Sequence, residues 1–322
     1  MSGAYGMLAS YFVFMLIYLN EIQGFNIKII SLSRNEAKLR NRFGVYADRP
    51  YFTNIAANIN KQLVIDGGID YFVHAASLAS PQYYETIPLE VTLPNVLGTY
   101  NILELAKEKH SGAVLFFSTG SVYGKTNKPF LNETDFGTID PLNIHSCYDE
   151  SKRIGETLCK VYSHQFGVPT KVIRFSHTYG PTLDIENDPR VFAEFVKNAV
   201  HGDNIEMKSD GSAKRAFCYI ADATAAEFKV LFDGKNAEAY NICNTEELYA
   251  IRDLADIISR IGGVKIIRVE RTGSYLEAPA AGIGDNAKLK TLGWECRYDV
   301  QSGFARTIAS FKLQSNGVRL CR

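Results

Sequence analysis

The chain has 322 residues, of which 46% are hydrophobic and 22% charged, enough for two domains or one large α/β unit with an appendage. Lys plus Arg number 35 and Asp plus Glu also number 35. That balance excludes a strongly basic nucleic-acid binder and a disordered acidic chain.

Residues 2–10 read SGAYGMLAS, so Gly3, Gly6 and Ala9 form a Gly-x-x-Gly-x-x-Ala turn opening a helix. Such a turn lets backbone N–H groups and a helix N-terminus approach a pyrophosphate. It ordinarily follows a strand, and only Met1 precedes it here, so the first strand is expected to be missing from this sequence. The apolar run 11–19, YFVFMLIYL, is shorter than the roughly 20 residues a membrane span needs. It also has no basic residue before it, Lys28 being the first lysine, so it reads as a buried helix rather than a signal peptide. Segments 26–32, 71–74, 113–118 and 170–175 read as short buried strands, and 91–110 and 148–166 as amphipathic helices. Apolar strands alternating with helices imply a doubly wound parallel sheet with right-handed crossovers. After about residue 180 the regularity weakens and loops rich in Asp, Gly and Asn appear. Six cysteines lie scattered without metal-ligand spacing, which suggests free thiols in a reducing compartment such as the cytoplasm and no metal site.

The chemistry concentrates in two places. One is Tyr148-Asp149-Glu150-Ser151-Lys152, a Tyr-x-x-x-Lys whose i, i+4 spacing puts both side chains on one helix face. A nearby ammonium favours the phenolate and prepares Tyr148 for proton transfer, and Lys152 is also suited to hydrogen-bonding a cofactor ribose. An exposed pair on a solvated helix is the bland alternative. The other is the strand end Ser118-Thr119-Gly120-Ser121-Val122-Tyr123-Gly124, a hydroxyl-bearing edge where open α/β sheets bind ligands.

Taken in this order, glycine turn, strand-end hydroxyl and Tyr-x-x-x-Lys make the chain resemble an extended short-chain dehydrogenase/reductase of the nucleotide-sugar epimerase, dehydratase and decarboxylase group. His74-Ala75-Ala76-Ser77, Asn95-x-x-Gly98-Thr99-x-Asn101, Arg174, Tyr179-Gly180-Pro181, Arg215-Ala216-Phe217-x-Tyr219-x-x-Asp222 and Leu292-Gly293-Trp294 extend the similarity over the whole length. The segments 77–81, 147–153 and 190–191 are similar to UDP-glucuronate decarboxylases in particular; dTDP-glucose 4,6-dehydratases are the other near group. The resemblance implies a Rossmann-like α/β fold, with a dinucleotide-binding domain over 1–177 and a smaller, mainly substrate-binding domain over 178–322, some of whose segments return to the first sheet. It implies an NAD(P) cofactor held by Gly3, Gly6, Arg34, Asn58, Ile59, Ala75, Ala76, Ser77, Asn95, Ser118, Tyr148 and Lys152. It makes Thr119, Tyr148 and Lys152 catalytic, and Ser80, Tyr84, Ser121, His177, Arg190 and Arg215 candidate contacts for a nucleotide-diphosphate sugar. A homodimer through the helices at 91–110 and 148–166 is implied as well, with no nucleic-acid or membrane partner.

Three departures qualify that reading. The dehydratases carry Asp-Glu after the strand-end threonine and the decarboxylases a Glu at the second place, where this chain has Gly120 and Ser121. His177 replaces an asparagine, and an expected arginine is missing, because residues 277–285 contain no basic side chain. Arg34 follows the second strand where an acidic residue would select NAD; it fits either a 2′-phosphate of NADP or stacking on the adenine of NAD. The expected activity is transient oxidation at C4 of a nucleotide-diphosphate hexose or hexuronate, followed by decarboxylation, dehydration or epimerisation. A non-catalytic dinucleotide sensor and a reductase of a non-sugar alcohol are the alternatives.

Overall fold

The structure is a computed structural model that describes residues 1–269 and 282–315. In chain order the elements are α1 (Met7–Glu21), β1 (Ile29–Leu32), α2 (Glu36–Phe43), β2 (Phe52–Ile55), β3 (Tyr71–His74), α3 (Gln82–Thr86), α4 (Pro88–Leu93) and α5 (Thr99–Glu108). There follow β4 (Ala113–Thr119), β5 (Phe130–Leu131), α6 (Ser146–Phe166), β6 (Thr170–Phe175), β7 (His177–Tyr179), α7 (Val191–His201), β8 (Ile205–Met207) and β9 (Lys214–Tyr219). The remainder is α8 (Ile220–Asp233), β10 (Glu238–Ile242), β11 (Leu248–Ala250), α9 (Ile251–Gly262), β12 (Ile266–Arg268), β13 (Ile283–Gly284), α10 (Ala287–Lys290) and α11 (Val300–Ser315).

The main sheet is parallel throughout. β3, β4, β6 and β10 pair in that order, and β1 pairs with β2. Ser2 joins the two parts, bridging Leu32 on one side and His74 on the other. Its N–H donates to the Val73 carbonyl at 2.9 Å, and Leu32 N–H donates to the Met1 carbonyl at 2.8 Å. The residues before the glycine turn therefore hold strand register at the carboxyl ends of β1 and β3.

Alternation along β4 explains why the sheet is covered on both faces. Leu115 and Phe117 enter a core with Phe12 of α1 and Ala226 and Val230 of α8, whereas Val114 and Phe116 enter one with Ile102 and Leu105 of α5 and Tyr162 of α6. A third core gathers β7, β9, α7, α9 and α11 into the smaller unit, where the rings of Tyr179 and Phe304 stack at 3.8 Å. β10, which follows β7 to β9 in the chain, pairs with β6 of the main sheet.

The strands predicted at 71–74 and 170–175 stand as read, and the one predicted at 113–118 extends to Thr119. The segment predicted from residue 26 starts only at Ile29, because Asn20 captures both backbone groups of Ile27, each at 2.8 Å. The helix predicted over 91–110 is broken differently. Pro94 removes an N–H donor, and one π-turn over Pro94–Gly98 separates α4 from α5. Among the described residues no helix is long and apolar enough to cross a membrane, and no group of three metal-ligating side chains occurs.

One buried carboxyl is unused by the site. Glu227 of α8 is fully buried, and among the described residues neither carboxyl oxygen has a hydrogen-bond partner. Burial pushes its pKa well above the ordinary value. A raised native pKa gives stability that is full below the unfolded value and falls as pH rises above it. Glu227→Gln is therefore expected to be more stable than the natural chain at pH 7, by about 1–3 kcal/mol, because the neutral amide folds without the proton uptake that the buried carboxyl requires. The gain should vanish near pH 4, which urea melts at the two pH values would check.

Candidate active site

Gly3, with φ at +69°, turns the chain from the Ser2 bridge into α1. A Cβ there would lie 2.7 Å from Cα and 2.8 Å from N of Ala76, so only glycine permits this approach to the end of β3. The Ser2 hydroxyl fixes the same junction, hydrogen-bonding His74 Nδ1 at 2.7 Å and accepting the Ala76 N–H at 3.3 Å. His74 is completely enclosed, and burial lowers its pKa to about 3, so the ring is a neutral strut. Gly6 caps α1 without a side-chain acceptor, and no acidic residue occupies the first helical turn. That leaves the helix N-terminus with N–H groups suited to a pyrophosphate.

Across the sheet edge, α6 delivers Tyr148 and Lys152, both buried. The helix comes close to β4 because Gly155 has no side chain; a Cβ there would stand 2.5 Å from the Phe116 ring. The Tyr148 ring stacks on Tyr84 at 5.2 Å and 14°. Lys152 Nζ donates to the Phe117 carbonyl at 2.6 Å and lies 5.9 Å from the Tyr148 ring centroid. Burial lowers the Lys152 pKa to about 7 and raises that of Tyr148 to about 12. The sequence predicts that the lysine tunes the phenol. In the structure a hydrogen bond from Thr119 and the charge of Arg190 are what oppose the effect of burial, because the ammonium is turned toward the β4 carbonyl.

Thr119 ends β4, and its Oγ1 lies 2.9 Å from Ser121 Oγ. Arg190, just before α7, is held by Asp188, with 2.9 Å from Nε to a carboxylate oxygen, and its guanidinium covers the Phe192 ring at 4.7 Å. His177 begins β7, between the rings of Phe192 and Phe217. Burial first, then the charges of Arg215 and Arg190, lower its pKa to about 4. A neutral imidazole flanked by two guanidinium groups is suited to an anionic ligand.

The structure thus brings Thr119, Ser121, Tyr148, Lys152, Tyr84, His177, Arg190 and Arg215 into one neighbourhood. It uses other expected residues differently. The Tyr84 hydroxyl donates to the Ala79 carbonyl at 3.0 Å, so Tyr84 supports Tyr148 with its ring while its polar end is engaged. Ser118 Oγ donates to Glu156 at 2.5 Å, and Glu156 pairs with Arg174, so this hydroxyl faces an internal ion pair. Asn95 ties the π-turn to α6 through Ser151 at 2.9 Å, although its Oδ1 has no partner among the described residues. Asn58 is exposed and accepts the Asn60 N–H at 3.1 Å, while Ile59 packs under Gly98. Arg34 is exposed just past the end of β1. The missing C-terminal arginine falls mostly outside the described residues. Sequence reasoning missed the Ser2–His74 strut and the Glu156–Arg174 pair; only the eight-residue step from Tyr148 to Glu156, two turns along α6, hinted that Glu156 shares a helix face with the site.

These features fit a dinucleotide. Ser77 and Ser80 have buried hydroxyls without partners among the described residues, Gly3 forms a cradle that a Cβ would fill, and Lys152 has further N–H donors beyond its one carbonyl bond. A parallel sheet with a glycine turn at its mouth, facing a buried tyrosine and lysine one helical turn apart, defines an NAD(P)-dependent enzyme of the extended short-chain dehydrogenase/reductase type. Residues 1–243 match the model of the NAD dependent epimerase/dehydratase family, and the chain belongs to that family. UDP-glucuronic acid decarboxylase 3 of Arabidopsis thaliana is 32% identical over 270 residues, which cover 83% of this chain and 76% of that protein. The crystal structure of UDP-glucose 4-epimerase with UDP-glucose from Thermotoga maritima matches with a TM-score of 0.82 at 21% identity, over 98% of both chains. UDP-glucuronic acid 4-epimerase from Bacillus cereus in complex with NAD matches with a TM-score of 0.78 at 21% identity, over 99% of this chain and 98% of that one.

Proposed function

We propose that this protein oxidises C4 of a nucleotide-diphosphate hexuronate of the UDP-glucuronate type and releases its carboxylate as CO₂. The observation that carries the reading is the electrostatic proximity of Tyr148 to Thr119 and Arg190, and of the neutral His177 to Arg190 and Arg215. When bound, the nicotinamide supplies the acceptor and later the donor of the hydride. Thr119 orients the sugar 4-hydroxyl, Tyr148 takes its proton, and Lys152 holds the ribose. Once C4 is a ketone the C6 carboxylate is that of a β-keto acid, whose loss of CO₂ needs no base at C5. Elimination of water needs both a base and an acid, and Gly120 and Ser121 supply neither. The names of the decarboxylase relatives support the same choice.

NAD is taken as the cofactor, in keeping with the family description, with Arg34 available to the adenine edge. A homodimer would use the face of α5 and α6 on which Tyr100, Ile154 and Val161 are exposed. The described cysteines are free thiols, as suits the cytoplasm. The testing experiment incubates the protein with NAD and a panel of UDP-, dTDP-, CDP- and GDP-sugars, with products identified by mass. A loss of about 44 mass units from UDP-glucuronate is expected; a loss of about 18, or none, would replace the proposed net reaction. Arg215→Ala is expected to raise KM for the nucleotide sugar by about 10- to 150-fold, the value of a charge-assisted hydrogen bond, while leaving dinucleotide affinity in place. Initial-rate kinetics beside a dinucleotide titration would check it.

A further inference from the structure

We propose that Glu156, paired with Arg174, is a positioning residue of the active site: it anchors Ser118 and so holds the end of β4 in place against α6. That strand end supplies both the carbonyl acceptor of Lys152 and the Thr119 hydroxyl. The inference rests on the roles given to Tyr148, Lys152 and Thr119 in the function proposed above.

The period of two along the strands puts these groups together. Val114 and Phe116 of β4 and Val172 of β6 enter the core shared by Cys159 and Tyr162 of α6, so Ser118 and Arg174 lie on that same face. The two are also register partners across β4 and β6. On α6 the helical period sets Tyr148, Lys152 and Glu156 one turn apart on one side. Two successive residues of the strand are thus tied to two successive turns of the helix. Lys152 Nζ donates to the Phe117 carbonyl at 2.6 Å, and Ser118 Oγ donates to Glu156 Oε1 at 2.5 Å. Thr119 comes next, and the strand ends with it.

Arg174 fixes the carboxylate that receives Ser118. Its Nε donates to Glu156 Oε1 at 3.0 Å and its Nη2 to Oε2 at 2.6 Å, a fork that holds a carboxylate in one orientation. The guanidinium is held in turn. Its Nη1 donates to the Glu133 carbonyl at 3.1 Å, and its carbon lies 4.8 Å from the centre of the Tyr123 ring. The Tyr123 hydroxyl donates to Asn241 Oδ1 at 2.7 Å. The anchor therefore runs from α6 through β6 to the turn after β4 and on to β10.

Stability alone does not call for this arrangement. An ion pair drawn out of water loses in desolvation much of what it gains in attraction, and apolar residues of similar volume often serve as well. What the half-buried pair supplies is direction. Displacing a reacting group by 1 Å costs about 10²-fold in rate, and a shift at the end of β4 reaches Lys152 and Thr119 together. Glu156 also bears on Lys152 by charge: burial lowers the lysine pKa to about 7, and the carboxylate one turn away is the first group to oppose it.

The test measures kcat and KM for the full chain with NAD and UDP-glucuronate, beside a thermal melt. Ser118→Ala removes the link and leaves Glu156 both of its bonds to Arg174. Its unfolding midpoint should stay close to that of the natural chain, while kcat falls about 10- to 100-fold. Glu156→Gln should lower kcat by a similar factor with KM for the nucleotide sugar little changed, since Glu156 acts through the strand. The two losses should not multiply. The double variant should be no slower than the slower single one, because one residue acts through the other. A Ser118→Ala enzyme that keeps its natural kcat overturns the proposal. So does a double variant whose loss is the product of the single losses, the result expected if Ser118 served the cofactor directly. Where Glu156→Gln fails to fold, Ser118→Ala decides alone. A natural chain that turns over none of the nucleotide sugars removes the proposed function and this role together, an outcome distinct from a working enzyme indifferent to Ser118 and Glu156.

Discussion

Tyr148→Phe is expected to lower kcat by at least about 10²–10⁴, the range for a positioned proton transfer. Dinucleotide binding and the unfolding midpoint should stay close to those of the natural chain. The separation follows from the geometry. The ring of Tyr148 stacks on Tyr84, and that contact survives loss of one oxygen. The hydroxyl alone has its burial opposed by Thr119, and in the proposed reaction it alone meets the developing charge on the substrate. Lys152 keeps its bond to the Phe117 carbonyl, so the support proposed for the cofactor ribose should be untouched. Stopped-flow rates with UDP-glucuronate, read beside a dinucleotide titration and a thermal melt, check all three. A Phe variant with more than about a tenth of the natural rate would remove Tyr148 from proton transfer altogether.

Gly3→Ala is expected to be the most damaging change at the cofactor mouth. Two costs combine there. Its φ of +69° puts an L side chain in the left-handed region, at about 1–2 kcal/mol. Its Cβ would also stand 2.7–2.9 Å from backbone atoms of Ala75 and Ala76, and such overpacking costs about 1–3 kcal/mol. The combined loss of about 2–5 kcal/mol should appear in the urea midpoint as well as in dinucleotide affinity, because Ser2 and Gly3 also join β1 to β3. Gly6→Ala supplies the contrast. Gly6 has a φ of −64°, and a Cβ there meets only the Gly3 carbonyl oxygen, at 3.2 Å. It should weaken dinucleotide binding by crowding the pyrophosphate, with little change in stability.

The parts of this molecule that follow local rules were legible in its sequence. Tyr71–His74 and Thr170–Phe175 are short, apolar and unmistakable as buried strands, and Tyr148 to Lys152 needs only the helical period to place two side chains on one face. What escaped depends on tertiary placement. Nothing in the spacing of Lys152 shows that its ammonium will turn to the Phe117 carbonyl, 35 positions away in sequence, rather than to the phenol. Ser118 resembles a cofactor contact in sequence, yet the half-buried Glu156–Arg174 pair claims its hydroxyl, since a carboxylate drawn out of water must satisfy its oxygens. Asn95 was drawn inward in the same way, when Pro94 forced the π-turn and brought the amide to Ser151. The grouping of His177, Arg190 and Arg215 is tertiary too: β7, the approach to α7 and β9 meet only through the fold of the smaller unit, so the resemblance supplied each residue singly and the structure supplied their proximity.

The central claim is that chemistry begins at the sugar C4, with Tyr148 taking the hydroxyl proton. The most direct measurement compares single-turnover formation of the 4-keto sugar from UDP-glucuronate carrying hydrogen or deuterium at C4. The expected result is a 4-keto species that forms more slowly from the deuterated sugar and is absent with Tyr148→Phe. Equal rates for the two isotopes, or release of product with no 4-keto species along the way, would contradict it.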